Sequence, residues 1–282
     1  MDLSTLNNRY GIFDHIIPVS GGCINNGCCL IAGEKKYFLK WNNARRFPGM
    51  FEAEARGLAL LHTTNTLVIP RMLETGITGD ESWILMEWIE ASRPAKNFWY
   101  AFGAGLARMH RHAHERFGLD HDNYIGSLHQ SNSMQEDWPA FFFRQRLEPQ
   151  ARQAVDHGSL PASLIKSIEA LYKKLPELVP AESPALIHGD LWNGNYLVGP
   201  GGSAALIDPA VYYGHREMDL AMTRLFGGFD ERFYEGYNDT LPLTNGFEQR
   251  VDIHNLYPLL VHVNLFGGGY IQQVNSILSR YK

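Results

Sequence analysis

Apolar residues follow one spacing at the start of this 282-residue chain and another in its later part. From Tyr10 to Leu39, short apolar runs alternate with Gly, Pro and Asn, which predicts a meander of strands. Between Phe51 and Leu61 the period lengthens. Phe51, Ala55, Leu58 and Leu61 fall on one helical stripe, with Glu52, Glu54 and Arg56 among them. Trp83-Ile84-Leu85-Met86 predicts another strand, and Glu87 to Glu90 leads from it towards Pro94. Beyond Phe98 helical spacing dominates, beginning with Phe102, Leu106 and Met109. Strands first and helices later predict an α+β, two-lobed protein: a small N-terminal antiparallel sheet lobe with one helix, then a larger, mainly helical C-terminal lobe. The boundary is expected within Trp88 to Ser92, dividing residues 1–88 from 89–282.

One stretch interrupts the helical half. Leu186-Ile187 and Tyr196-Leu197-Val198 read as short strands around His188-Gly189-Asp190-Leu191-Trp192-Asn193-Gly194-Asn195. Gly199 to Ser203 is a turn by composition, and Ala204 to Ile207 reads as the returning strand. Pairing Val198 with Ala204 sets Tyr196 opposite Leu206 and brings Asn195 and Asp208 out at the same end. Neighbouring strands lie about 4.8 Å apart, so one hard cation could bridge those two side chains. Asp190 on the loop could then accept a proton from a substrate hydroxyl. Chance carboxylates in a polar turn would not reproduce loop, spacing, hairpin and second aspartate together.

Composition narrows the partners. Hydrophobic residues make up 45% and charged residues 20%, an ordinary globular balance, and the net charge of −5 argues against nucleic acid or an anionic membrane. The N-terminus lacks the basic and apolar regions of an export signal, and Leu256 to Ile271 is interrupted by Pro258, His262 and Asn264. Three cysteines, two of them adjacent, form no disulfide framework. The expectation is a cytoplasmic protein, monomeric or weakly dimeric.

Ser20 to Gly27 joins two strand-like segments, and Gly21 and Gly22 would let backbone N–H groups approach phosphate oxygens. A plain hairpin explains the glycines equally well until Lys40 is considered. Lys40 ends the strand Tyr37-Phe38-Leu39 and suits the α- and β-phosphates if a carboxylate holds it. Glu54 on the following helix is the expected partner and Glu52 its rival. Cys23 lies in the same loop, where oxidation could close off the nucleotide. Among the twelve histidines, His110 and His114 have the spacing of a zinc pair, but the surrounding motif is missing. His110 fits better as packing beneath the loop.

The loop HGDLWNGN, the run DPAVYYGHREMDLAM from Asp208 to Met222, FGLDHDNYIGSLHQSN from Phe117 to Asn132, DWPAFFFRQRLEPQ from Asp137 to Gln150 and NLFGGGY from Asn264 to Tyr270 resemble the fructosamine kinase (ketosamine-3-kinase) family. That family is a branch of the protein-kinase-like fold shared with aminoglycoside and choline kinases. The resemblance covers nearly the whole chain. Trp192 and the Tyr212 to Glu217 segment point to this branch, whereas HGDxxxxN alone marks only the wider fold. It implies ATP- and Mg2+-dependent phosphorylation of the 3-hydroxyl of ketoamines, small or protein-bound, in deglycation.

By the same resemblance Asp190 would be the base, and Asn195 and Asp208 the magnesium ligands. Lys40 and Glu54 would orient the phosphates beneath Gly21 and Gly22. Met86, Glu87, Trp88 and Ile89 would be the hinge that meets adenine, and Asp219 would brace the catalytic loop. Trp192, Tyr212, Tyr213, His215, Arg216 and Glu217 are candidates for the acceptor pocket, although Arg216 and Glu217 could instead pair internally. Asp230, Glu231, Glu235 and Asp239 fit a solvated helix face better than an amine site. Gly189 stands where protein kinases carry a phosphate-reading arginine, and Pro209-Ala210 replaces a mobile Phe-Gly. The site is therefore expected to assemble without activation-loop phosphorylation. Competing readings are an aminoglycoside- or choline-type kinase and a catalytically silent binding module.

Overall fold

In the computed structural model, which describes residues 3–19 and 24–281, the early alternation becomes five antiparallel strands. These are β1 (His15–Pro18), β2 (Asn26–Ala32), β3 (Lys35–Asn43), β4 (Met72–Thr78) and β5 (Glu81–Glu87), in the order β1-β2-β3-β5-β4. β3 is central, so successive residues on it serve opposite faces. Tyr37 and Leu39 pack with Cys28, Leu30, Trp83 and Leu85 on one face. Lys40 pairs across the sheet with Gly27 and Ile84 and belongs to the other.

The expected helical stripe is α2 (Met50–Thr63), with Phe51, Ala55, Leu58 and Leu61 all buried. A second helix was not expected. α1 (Ser4–Tyr10) is too short to display a stripe; it adds Leu6 to the core cluster, with Tyr10 packed against it. The expectation of one helix in this lobe is corrected to two.

The later part begins with α3 (Phe98–His110), whose Phe102, Leu106 and Met109 are buried as the spacing predicted. Then follow the hairpin β6 (Asn123–Ile125) and β7 (Leu128–Gln130), and α4 (Trp138–Phe141), which continues through a π-helical turn, Phe142–Leu147, into α5 (Glu148–Asp156). After α6 (Ser163–Leu178) come β8 (Ala185–Ile187), the hairpin β9 (Tyr196–Val198) and β10 (Ala204–Leu206), and β11 (Tyr212–Gly214), which pairs with β8. Four helices complete the fold: α7 (Glu217–Thr223), α8 (Glu231–Thr240), α9 (Phe247–Phe266) and α10 (Tyr270–Ser279). The β9–β10 register is Val198 with Ala204 and Tyr196 with Leu206, as the sequence suggested.

By compactness the chain forms two units. One runs to Phe98 and includes Tyr196–Asp208; the other holds Trp99–Asn195 and everything from Pro209 onward. The sequence reading placed one boundary after Trp88 and left the β9–β10 hairpin with the helices. Among the described residues no helix is long and apolar enough to cross a membrane.

Within the second unit, α3 and α8 touch backbone to backbone. A Cβ on Gly103 would lie 1.8 Å from Phe233 O, and one on Gly236 would lie 2.1 Å from Tyr100 O. Replacing Gly by Ala inside a helix gains at most about 1 kcal/mol in propensity. Overpacking costs roughly 1–3 kcal/mol, and here the opposing atoms are backbone and cannot turn aside. Gly103→Ala and Gly236→Ala are each expected to lower stability by about 1–3 kcal/mol, read as a reduced urea midpoint with an unchanged slope.

Candidate active site

In the first unit, the Lys40 ammonium is buried and fully engaged. It donates to Glu54 Oε1 and Oε2 at 2.8 and 3.0 Å, and to Asp208 Oδ1 at 2.8 Å. Glu54, not Glu52, is the partner, because Glu52 lies on the exposed side of α2. Burial opposes the charge on Lys40, but Asp208 and Glu54 outweigh it and hold its pKa above the ordinary lysine value. Burial likewise pushes Glu54 up against the pull of Lys40. Asp208 has φ +52°, a left-handed backbone state that Asp tolerates better than most residues.

The hinge candidates run from the end of β5 into the chain beyond it. Met86 is buried in the sheet and Glu87 is exposed, but the Glu87 N–H already donates to Arg71 O at 2.9 Å. Trp88 and Ile89 are half-buried, with Ile89 against Gly199. Gly21, Gly22 and Cys23 lie outside the described residues.

In the second unit, β8 delivers the chain into the loop His188–Asn195. Asp219, buried on α7, accepts the His188 N–H at 2.7 Å and the Gly189 N–H at 2.9 Å. His110 Nε2 bonds its carboxylate at 3.1 Å, and His110 Nδ1 meets the Tyr237 hydroxyl at 2.8 Å. Burial works against the Asp219 charge, but bonds from His110 and His188 hold its pKa below the usual carboxylate range. Gly189 has φ +81°, and a Cβ there would lie 2.1 Å from Ala210 O, so no other residue fits. Asn195 closes the loop, its Nδ2 donating to both Asp190 O and Asp190 Oδ2 at 2.8 Å. Asp190 itself is half-buried.

The six acceptor candidates separate into two groups. Trp192 and Tyr213 are half-buried. The Trp192 ring folds over Gly194 with its edge to Phe226, and Tyr213 stacks on His114 at 4.7 Å. Tyr212, His215, Arg216 and Glu217 are buried and face inward, which corrects their assignment as pocket lining. Tyr212 lies under the Arg146 guanidinium at 3.9 Å. His215 bonds Pro180 O at 3.1 Å, and Arg216 forks onto Glu182 at 2.6 and 2.8 Å. Glu217 accepts Arg250 at 2.8 and 2.6 Å and pairs with His254 at 3.1 Å. Arg216 and Glu217 therefore pair with other residues, not with each other.

Sequence reading missed Glu182, Arg250 and His254 because charged residues distant in sequence advertise no pairing. His215, Glu217 and His254 gather within metal-ligating distance of one another. Arg250 covers both Glu217 oxygens, however, and His215 uses both ring nitrogens on Pro180 O and the Glu217 N–H, so no ion fits there. His114 is exposed and bonds near Arg116, away from the partners of His110, which leaves the zinc-pair spacing without a site. Asp230, Glu231, Glu235 and Asp239 are exposed; Asp230 caps α8, and Asp239 accepts the Tyr100 hydroxyl.

The family model for fructosamine kinase matches residues 3–282. The "Probable ketoamine kinase" of Synechocystis sp. is 42% identical over 266 residues, covering 93% of this chain and 88% of its own. A chloroplastic protein-ribulosamine 3-kinase of Oryza sativa subsp. japonica is 36% identical over 272 residues, covering 94% of this chain and 78% of its own. Among solved structures, a fructosamine-3-kinase family protein from Thermobifida fusca aligns with TM-score 0.87 at 34% identity, covering 98% of this chain and 96% of that one. An aminoglycoside phosphotransferase aligns with TM-score 0.63 at 14% identity over 98% of this chain and 97% of its own, a likeness of fold alone.

The buried ions make stability depend on pH. Burial and the neighbouring His254 bring His215 down to about 4, from an ordinary value of 6.5. The unfolded chain therefore binds more protons between those values, and stability falls as pH drops from 6.5 to 4. Glu217 works in the same direction over a lower range. Its burial is outweighed by Arg250 and His254, which bring it down to about 2, so its contribution is complete above 4.5 and fades below. Urea unfolding at pH 7 and pH 4 should show the wild type losing about 3 kcal/mol more than a His215→Gln variant.

Proposed function

The chain belongs to the fructosamine kinase family, and from that membership we propose that it transfers the γ-phosphoryl group of ATP to the 3-hydroxyl of a ketoamine. The acceptor is a small or protein-bound fructosamine or ribulosamine adduct, and the chain's role is deglycation. The observation that carries this reading is Lys40, a buried cation held by Glu54 from 14 residues away and by Asp208 from 168 residues away. A lysine fixed from two sides is a point charge suited to the α- and β-phosphates.

Asp208 offers a carboxylate and Asn195, with its amide protons on Asp190, offers its carbonyl oxygen, each the kind of oxygen that Mg2+ takes. When bound, the cation neutralises charge on the transferring phosphate. Asp190 accepts the proton of the sugar hydroxyl. The Asn195 bond to its Oδ2 fixes the direction of the carboxylate, and Asp219 fixes the backbone from which it projects. Transfer passes through a loose transition state, so orientation of the hydroxyl matters more than basicity. Gly21 and Gly22 would cover the phosphates, and the Met86–Ile89 segment would meet the adenine. The protein acts in the cytoplasm, in keeping with buried free thiols at Cys28 and Cys29.

Mass spectrometry after incubation with ATP and a panel of fructose-, ribulose- and erythrulose-lysine beside aminoglycosides tests the acceptor. Phosphate gain is expected on ketoamines alone, and gain on aminoglycosides alone would overturn the assignment. Asp190→Asn should reduce turnover by roughly 10²–10⁴-fold with the fold retained. Normal turnover by that variant would remove Asp190 as the base.

A further inference from the structure

Two stretches conspicuous in the sequence, NYIGSLHQSN from Asn123 to Asn132 and FFRQRL from Phe142 to Leu147, play no part in the scheme above. They meet in the second unit at Arg146, whose guanidinium has no exposed surface. Arg146 sits on the π-helical turn, a rare backbone form that recurs at functional positions. It has no carboxylate partner among the described residues. Instead it donates to Ser131 O at 2.5 Å, Gln145 O at 2.9 Å and Asn132 Oδ1 at 2.7 Å. The guanidinium lies over the rings of Tyr212 at 3.9 Å, Phe141 at 4.6 Å and Tyr257 at 5.4 Å. A buried cation without a counter-ion is disfavoured, and the Arg146 Nε has no hydrogen-bond partner among the described residues, so its presence here calls for a reason.

The partners of Arg146 form a chain of buried amides. Asn132 donates to Asn123 Oδ1 at 3.1 Å, and Gln130 donates to the same oxygen at 2.7 Å. Asn123 donates to Val211 O at 2.8 Å, and Gln130 donates also to Ala210 O at 3.2 Å. The Tyr257 hydroxyl donates to Gln130 Oε1 at 2.6 Å.

Both ends of this chain reach the loop that carries Asp190. At one end, the Ala210 N–H bonds His188 O at 2.9 Å, and its carbonyl lies against Gly189. At the other, Tyr257 is a wall of a small cavity of about 10 Å³ that it shares with Asp190, Met218, Met222 and Val261. Because its hydroxyl is engaged by Gln130, Tyr257 offers the cavity a ring face held at its tip by one bond and along its side by a cation.

We propose that Arg146 is a positioning residue for the phosphoryl acceptor: through Asn132, Asn123, Gln130 and Tyr257 it fixes the wall beside which the substrate alcohol meets Asp190. The inference rests on the kinase reading above. Its physical basis is that an acceptor displaced by about 1 Å from a near-attack geometry can lose on the order of 10²-fold in rate. Arg146 has no exposed surface, so its influence passes along the amide chain to Gln130 and through its own contact with the Tyr257 ring.

The test is steady-state kinetics on the wild type, Arg146→Lys, Tyr257→Phe and the double variant, varying ketoamine and ATP separately. Each single variant should lose roughly 10–100-fold in kcat/KM for the ketoamine while KM for ATP stays within about twofold. The double variant should be no worse than the more impaired single, since both changes cut one connection. KM for ATP rising in parallel, losses that multiply in the double variant, or a wild-type kcat/KM for the ketoamine would each overturn the proposal. Should Arg146→Lys fail to fold, Gln130→Met replaces it in the cycle with the same expectation, and Tyr257→Phe removes only a hydroxyl. A wild type that phosphorylates no ketoamine overturns the kinase reading and this inference together. An active wild type with indifferent variants overturns this inference alone.

Discussion

A carboxylate cut off from water, Asp219, sets the shape of the loop on which the proposed chemistry depends. Burying such a charge costs several kcal/mol unless donors replace the lost water. Here the donors are the N–H groups of His188 and Gly189 and the ring of His110. Each side satisfies the other, because those two N–H groups would otherwise be orphans at the end of β8. The brace reaches further than one residue. His110 is held by Tyr237, and Tyr237 follows Gly236 on α8, where the backbone presses on α3. The glycine contacts that let α3 and α8 approach are therefore what permit the 2.8 Å bond between His110 and Tyr237. Packing of two helices is translated into the position of Asp190.

The first unit uses the same logic with the signs exchanged. Lys40 is the buried charge, and Glu54 and Asp208 are its partners, brought from α2 and from the end of the β9–β10 hairpin. Two carboxylates on one ammonium leave a net negative cluster, which a divalent cation near Asp208 would balance. The partners differ in exposure. The Glu54 side chain is 10% exposed and that of Asp208 is 43% exposed, so Glu54 is the structural partner and Asp208 the one open to exchange. Hard cations favour oxygen ligands such as this accessible carboxylate.

Much of this was legible in the sequence because it is local. The α2 and α3 stripes, the β9–β10 register and the loop between β8 and β9 each depend on neighbours within a few residues. The partnership of Lys40 with Glu54 was legible for a related reason, since the strand leads into the helix almost directly. What escaped was long-range and charged. Glu182, Arg250 and His254 lie 30 to 40 residues from the segment they neutralise, and nothing about an arginine on a helix says that it will be buried. Arg146 is the extreme case, a cation enclosed by aromatic rings and amides. Tyr212, His215, Arg216 and Glu217 looked like a polar pocket because polar residues are ordinarily wet. The structure makes them internal supports instead. α1 escaped for the opposite reason, since seven residues with one buried leucine carry too little pattern.

Gly189 joins these strands of argument. A phosphate-reading arginine at this position would need a side chain where Ala210 O already stands, and a φ of +81° that side chains rarely adopt. The loop can pack this closely on 209–212 only because the position is glycine. That closeness lets Ala210 bond back to His188 and lets Gln130 reach the Ala210 carbonyl. A switch at this point would have to break the Asp219 brace, the Ala210 bond and the amide chain together, at the loss of several buried hydrogen bonds. The segment after Asp208 is therefore a fixed support for the loop. An arginine in place of Gly189 is excluded sterically by that support.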